Sequence, residues 1–134
     1  IDHVKPNGTG HTQHKCIVDG SAHAVFNGKI IVRPHAQRTN SSQSSRNLLL
    51  SKTAQIDTKP QLEIFADDVK CAHGATVGQL DPEEIFYLKS RGLSELSARN
   101  LLTFAFGAEI ISRISIPSLR QQLEQAVLNQ TQSN

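Results

Sequence analysis

The chain has 134 residues, 37% of them hydrophobic and 19% charged, with a formal net charge of +2, which bounds it to one globular domain with a modest core or one domain with an appendage. So small a charge, without an extended Lys/Arg run, excludes a general nucleic-acid binder, and 4% aromatic residues with no Trp leave no stacking platform for single strands. No apolar run approaches the ~18–20 residues that a membrane span needs, and no signal peptide opens the chain. Cys16 and Cys71 read as free thiols of a reducing cytosol rather than as a disulfide. The chain starts at Ile1 and contains no Met, so it is expected to be a piece of a longer protein.

Taken in order, residues 1–12 carry Pro6, Gly8 and Gly10 and predict an irregular lead-in or a frayed first strand. His11, His14 and Cys16 then form an H-x-x-H-x-C cluster. Structural zinc needs three or four ligands with a closing pair, and no such pair follows. The cluster therefore reads as a polar strand leading into the apolar run 16–18. Short runs follow at 22–26 (AHAVF), 29–32 (KIIV), 47–50 (NLLL), 54–56 (AQI) and 61–66 (QLEIFA), all strand-like in length and composition. Asn27-Gly28 by itself predicts a tight two-residue hairpin, yet a solenoid of short strands uses such pairs at its corners. Spacing leaves the two open. The segment TNSSQSS (39–45) is the most polar of the chain and predicts a surface loop.

From Asp81 the pattern becomes helical. Asp81 at the N-cap, Pro82 at N1 and Glu84 at N3 make a helix start, running to about Arg91 and stopping at Gly92. Ser94 caps a second helix through about Ser112, whose apolar positions Leu101, Leu102, Phe104, Ala105, Ala108, Ile111 and Ile114 predict a wide buried face. A third helix starts near Pro117 with Leu119, Leu123, Ala126 and Val127 on one stripe, and the QTQSN end (130–134) is expected to fray. Fold class is thus mainly β in residues 1–80 and α in 81–134.

The chemistry concentrates between these halves. Val69, Cys71, His73, Ala75 and Val77 share one parity of an alternating run, as in a half-buried strand. If Val69 and Val77 face a core, Cys71 and His73 face it too, and an unpartnered buried polar group costs ~1–3 kcal/mol. Residues i and i+2 lie ~6.6 Å apart along a strand, close enough to converge on one metal. A thiolate with an imidazole suits iron, zinc or an iron–sulfur cluster better than magnesium or calcium. Two ligands form at most half of a weak, transient site completed by another subunit. A cysteine nucleophile activated by histidine is the competing chemistry. It lacks an identifiable oxyanion-hole turn and an orienting Asn or Asp. A Cys and His satisfied within a core is the third reading; spacing alone favours it, with a shared metal or cluster site next and a catalytic thiol last.

The run DTKPQLEIFADDVKCAHGATVGQLDPEEIFYLKSRGLS (57–94) resembles the C-terminal part of the SufB/SufD family of iron–sulfur cluster assembly proteins. The combination D-V-K-C-x-H-G-A-T-V-G followed by F-Y-L-x-S-R-G carries the likeness, and HGATVG points to the SufD branch. The similarity extends through AVFNGKIIV (24–32), RNLLLSKTAQ (46–55) and the helix after Ser94, covering nearly all of 14–112. The resemblance implies a right-handed parallel β-helix (solenoid), its C-terminal rungs in 1–80, followed by a C-terminal helical subdomain in 81–134. It would make Asn27-Gly28 a solenoid corner. It implies a scaffold subunit rather than an enzyme, pairing with a SufB-like paralogue through the β-helix ends and docking a SufC-like ABC ATPase through 81–114. His73 matches the motif histidine tied to cluster assembly at that interface, and Cys71 matches the motif cysteine, whose role is less defined. Iron or a nascent iron–sulfur cluster would be transient cargo completed by the partner, with none tightly bound to this chain. No Walker-type loop occurs, so energy must come from a partner. The implied location is the cytoplasm, or the plastid stroma in a eukaryote. An open rung invites a homodimer in isolation. The expectation for His73 is an imidazole turned into the solenoid, beside a seam where a second protein meets it.

Overall fold

The β-branched runs condense into six strands, β1 (Asp2–His3), β2 (Thr9–Val18), β3 (His23–Val32), β4 (Thr39–Leu49), β5 (Gln55–Ile64) and β6 (Val69–Gln79). They are seen in a computed structural model that describes residues 1–132. Odd strands make one sheet in the order β1-β3-β5 and even strands a second in the order β2-β4-β6. The pairs β1/β3, β2/β4 and β3/β5 are all parallel. Asp2 pairs with Ile31, Thr9 with Asn40 and His23 with Gln55, so paired residues lie 29, 31 and 32 apart. Each connection thus carries the chain from one sheet to the other, and every second strand returns beside its predecessor. A corner shows the same repeat: Asn7 and Arg38 both adopt left-handed backbone (φ 62° and 59°), and Arg38 Nε donates to Asn7 Oδ1 at 2.8 Å.

Parallel neighbours cannot be joined by a two-residue hairpin. Asn27 and Gly28 accordingly lie inside β3, at neither a hairpin nor a solenoid corner. Gly28 is buried because the side chain of Gln43 occupies its place: a Cβ there would stand 1.4 Å from Gln43 Nε2. The glycine permits a close approach, not a reversal.

The expected surface loop at 39–45 is instead β4, the central strand of its sheet. Thr39, Ser41, Gln43, Ser45 and Asn47 alternate inward and are buried. Polar side chains are stable there because they find partners. Thr39 Oγ1 donates to Ala36 O at 2.8 Å and Ser41 Oγ to Gly10 O at 3.1 Å. With its own proton spent on Gly10, the Ser41 hydroxyl accepts from buried His3 Nε2 at 3.0 Å. Beside this polar row sits a small apolar cluster of Ile30, Val32, Ala36 and Ala66. On the outer face of the odd sheet, charges pair between neighbouring strands: Arg33 grips Asp2 through two bonds of 3.0 and 2.9 Å, and Lys29 meets Glu63. The guanidinium holds the Asp2 carboxyl below its ordinary range.

A second compact unit begins at Gln79, the first being Ile1–Gly78. Its helices are α1 (Pro82–Ser90), α2 (Glu95–Ile111) and α3 (Pro117–Gln132). Asp81 caps α1 by accepting from Glu83 N at 2.8 Å, and Gly92 (φ 95°) follows its end. Ser94 caps α2 by accepting from Ser97 N at 3.1 Å. The buried residues of α2 are Ala98, Thr103, Gly107 and Ile111, a narrower stripe of mostly small residues than the face expected, and Leu101 and Ala105 are exposed. Leu119 and Leu123 of α3 are exposed too. The expected fraying falls partly on residues 133 and 134, outside the described residues.

Replacing Gly28 with Ala should destabilise the protein by about 1–3 kcal/mol, the usual cost of overpacking. The loss should shrink when Gln43→Ala is added, since the two residues contend for one space. Urea unfolding of the two single variants and the double variant measures this; additive losses would refute the interlock.

Candidate functional site

Strand β6 carries the sequence-predicted pair. Val69 and Cys71 are half-buried and pack on the Ile30/Val32/Ala36/Ala66 cluster together with Leu62. Cys71 is a free thiol. His73, two positions along, is exposed, as are Ala75 and Val77. The expectation of an imidazole turned into the interior is therefore corrected: burial on this face ends at Cys71. The reason is positional. The β6 strand terminates the order β2-β4-β6, and the apolar cluster that covers Val69 and Cys71 reaches no further. An exposed imidazole keeps its hydration and needs no internal partner, so the desolvation problem posed by a buried His73 does not arise.

What the two residues offer is a half-shielded thiol and an accessible imidazole on one strand. Among the described residues, no group of three or more His, Cys, Asp or Glu gathers to hold a metal. Cys71 and His73 supply two donors at most, which is short of a closed tetrahedral site.

The upstream H-x-x-H-x-C cluster is divided by the strand's period of two. His11 is exposed on β2 and stands 2.7 Å from Ser42 Oγ. His14 and Cys16 share the other parity and are half-buried. The His14 ring stacks on Phe26 with centroids 3.9 Å apart and 17° between planes, and its Nδ1 lies 3.3 Å from Ser45 Oγ. Burial pushes the His14 pKa down, favouring the neutral ring, and pushes the Cys16 thiol up, favouring the protonated, unreactive form. The three residues do not converge on a common point, and the pair that faces inward is part of the packing.

Sequence reasoning missed the polar row beyond them. Ser45 and Asn47 are buried in β4, opposite His14 and Cys16 in the ladder. Asn47 Nδ2 lies 3.1 Å from Ser45 Oγ and donates to Thr76 O of β6 at 3.0 Å. Hydropathy hid this row, because the outward residues Asn40, Ser42, Ser44 and Arg46 are polar as well. Spacing carries the only signal: these residues stand 31 after His11, Gln13, Lys15 and their neighbours.

The second unit presents a different surface. Its first helix α1 buries no residue, and Phe86 and Tyr87 are 73% and 56% exposed. A groove of about 540 Å³ is floored by Leu88, Leu101 and Leu102 and edged by Asp81, Glu84 and Tyr87. The acidic residues there also serve the N-terminus of α1.

Because the unfolded chain holds the His14 proton more tightly than the folded one, the histidine's contribution is complete above its ordinary value of 6.5. It is lost as pH falls through the lowered folded value. Denaturant midpoints between pH 7.5 and 5 should decline accordingly, and His14→Gln should flatten the part of the decline that begins below 6.5. An equal slope in the variant would assign the effect to other groups.

The family profile described as "SUF system FeS cluster assembly, SufBD core domain" matches residues 1–106. The chain is 53% identical over 122 residues to an iron-sulfur cluster assembly SufBD family protein of Synechocystis, covering 91% of this chain and 27% of that protein. It is 47% identical over 123 residues to the iron-sulfur cluster assembly protein SufD of Escherichia coli, covering 92% and 29%. It is 42% identical over 123 residues to the chloroplastic protein ABCI7 of Arabidopsis thaliana, covering 91% and 26%. The chain thus spans between a quarter and a third of the length of these relatives.

Proposed function

This chain belongs to the SufBD core family of the SUF system for iron–sulfur cluster assembly, and we propose that it is part of a SufD-like, non-enzymatic scaffold subunit of a SufBCD-like complex. Its residues 1–80 are read as the last rungs of a right-handed parallel β-helix core and 81–134 as a C-terminal helical subdomain. Alternation of strands between two sheets, with parallel pairs about one fixed interval apart, supports the first part of this reading.

The observation that carries the proposal is the exposure of His73 on the terminal strand of the even sheet. An outermost strand offers unpaired backbone groups to another chain. An exposed imidazole on that strand meets whatever docks there. In this reading a SufB-like paralogue adds to β6, His73 donates to iron or to a nascent iron–sulfur cluster, and Cys71 lies within reach as a second, half-shielded ligand. The cluster is cargo. It is held only while the paralogue completes the ligand set, since this chain offers two donors. Thiolate and imidazole are the appropriate soft and borderline ligands for it.

Energy enters through a SufC-like ABC ATPase docking on residues 81–114. The exposed Phe86, Tyr87 and Leu101 and the groove between α1 and α2 support this, because apolar side chains left in water by one chain are what a partner covers. ATP-driven movement of that partner would be passed through the helices to the interface at His73. The relatives named above include bacterial and chloroplastic proteins, and no helix among the described residues is long and apolar enough to cross a membrane. The compartment proposed is the bacterial cytoplasm or the plastid stroma. The same open strand would let the isolated protein pair with itself.

Anaerobic reconstitution of the full-length protein with its SufB and SufC partners tests the site. His73→Ala should lower iron content and cluster absorbance severalfold while the complex still assembles, and Cys71→Ala should act in the same direction more weakly. Undiminished cluster yield from an intact His73→Ala complex would remove His73 from the mechanism and leave a docking module. Alkylation of Cys71 followed against pH separates the catalytic alternative: a thiolate titrating well below 7 would favour a nucleophile. Removing residues 81–134 should abolish co-purification of the ATPase, and retained binding would falsify the docking assignment.

A further inference from the structure

The strand that carries Cys71 and His73 has little to hold it. Only Val69 and Cys71 of β6 are even half-buried, and the positions from 72 to 79 are exposed. Packing therefore fixes the start of the strand and leaves its second half to hydrogen bonds. One of those bonds is unusual in coming from a buried side chain. Asn47 is 4% exposed, and its Nδ2 donates to the main-chain oxygen of Thr76 at 3.0 Å, three residues beyond His73. The amide that does this is itself held. Ser45 is 1% exposed; its Oγ lies 3.1 Å from Asn47 Nδ2, and His14 Nδ1 lies 3.3 Å from the same hydroxyl. The His14 ring is in turn stacked on Phe26. A chain of side chains thus crosses the even sheet from β2 through β4 to the backbone of β6.

We propose that Asn47 is a positioning residue, fastening the second half of β6 so that the Cys71–His73 face presents one geometry to the cargo and the partner. This rests on the reading of His73 given above. A carboxamide buried to this extent needs its hydrogen bonds, because leaving either end unpaired costs more than the bond itself yields. Among the residues of the row, Asn47 is the one whose side chain donates to the backbone of β6. Thr39 and Ser41 satisfy Ala36 and Gly10 instead, both of which lie on or before strands already packed. Asn47 therefore acts where apolar packing is thinnest.

The test uses the full-length protein with two variants. Asn47→Leu keeps the volume and removes the donor; Ser45→Ala leaves the donor and removes its support. Backbone hydrogen exchange should rise about fivefold over residues 73–78 in Asn47→Leu, the loss expected for one net hydrogen bond, and by a smaller factor in Ser45→Ala. Exchange in β3 and β5 should stay as in the parent. With nitrogen-15-labelled histidine, the His73 imidazole signal should shift or split in Asn47→Leu while those of His11 and His23 do not move, a change that uniform destabilisation would not produce. Unchanged exchange over 73–78, or an equal rise in β3 and β5, overturns the proposal. Should Asn47→Leu fail to fold, Ser45→Ala is judged by the same two criteria. Failure of the underlying site reading is separable: His73→Ala with full iron content would dismiss the site, yet the exchange result over β6 would still decide what Asn47 holds.

Discussion

The first unit depends on satisfying polar groups inside a sheet. Five side chains of β4, from Thr39 to Asn47, point inward with hydroxyl or amide heads. Each hydroxyl left unpaired there would cost ~1–3 kcal/mol, against a net gain of about 1 kcal/mol for each bond made. The parallel stacking at an interval near 31 residues is what resolves this, since it brings a hydroxyl or carbonyl of one strand level with a neighbour's in the next. His11 with Ser42 and His14 with Ser45 are contacts made at that interval, while His3 reaches Ser41 across 38 residues. A one-residue slip would turn every inward hydroxyl outward and break the set. Register is thus specified by polar complementarity as much as by the small apolar cluster. One atom stands outside the scheme: Gln43 Oε1 is buried without a protein partner, in the side chain that Gly28 makes room for.

How far the fold could be read from the sequence follows from the same physics. Helix boundaries were legible because capping is local: Asp81, Pro82 and Ser94 announce themselves within a few residues, and the observed helices begin at Pro82 and Glu95. The alternating run in β6 was legible because apolar and polar residues take turns. The β4 strand was not, because both of its faces are polar and the hydropathy signal of period two vanishes. Asn27-Gly28 misled for a related reason. A glycine required by a side chain 15 residues away in sequence looks the same, locally, as one required by a turn. The α2 face was misread where small residues, Ala98 and Gly107, are the ones buried and Leu101 is left in water. Tertiary approach selected the small side chains over the large ones.

The site was half legible. Parity correctly put Cys71 on the packed side with Val69, and then extended that burial one step too far, to His73. Periodicity reports which face a residue shares; it does not report where the cover on that face ends. The cover ends because the apolar cluster is small and β6 is the last strand of its sheet. This changes the chemistry available at His73. A buried imidazole would have needed an internal partner to offset its desolvation, and would have met cargo only through an opening. An exposed one is free of that cost until a second surface closes over it, and its desolvation then becomes part of the energetics of docking.

That sequence of events gives a physical reason for pairing a half-shielded thiol with an exposed imidazole on a loosely packed strand. On the proposed reading, two donors would bind iron weakly and release it readily, as suits a scaffold that hands its cargo on. Tight holding would have to come from a closed ligand set, and closure requires the second chain. On that reading the strand would have to be mobile enough to accept an edge partner and ordered enough to present both donors together. Apolar packing at Val69 and Cys71 secures one end of β6, and the amide of Asn47 reaches the other from inside the sheet. Between these two anchors lies His73, held by the backbone on either side of it rather than by contacts of its own ring. Its position is then set by the interior of β4, the strand whose polar side chains made it unrecognisable as a strand.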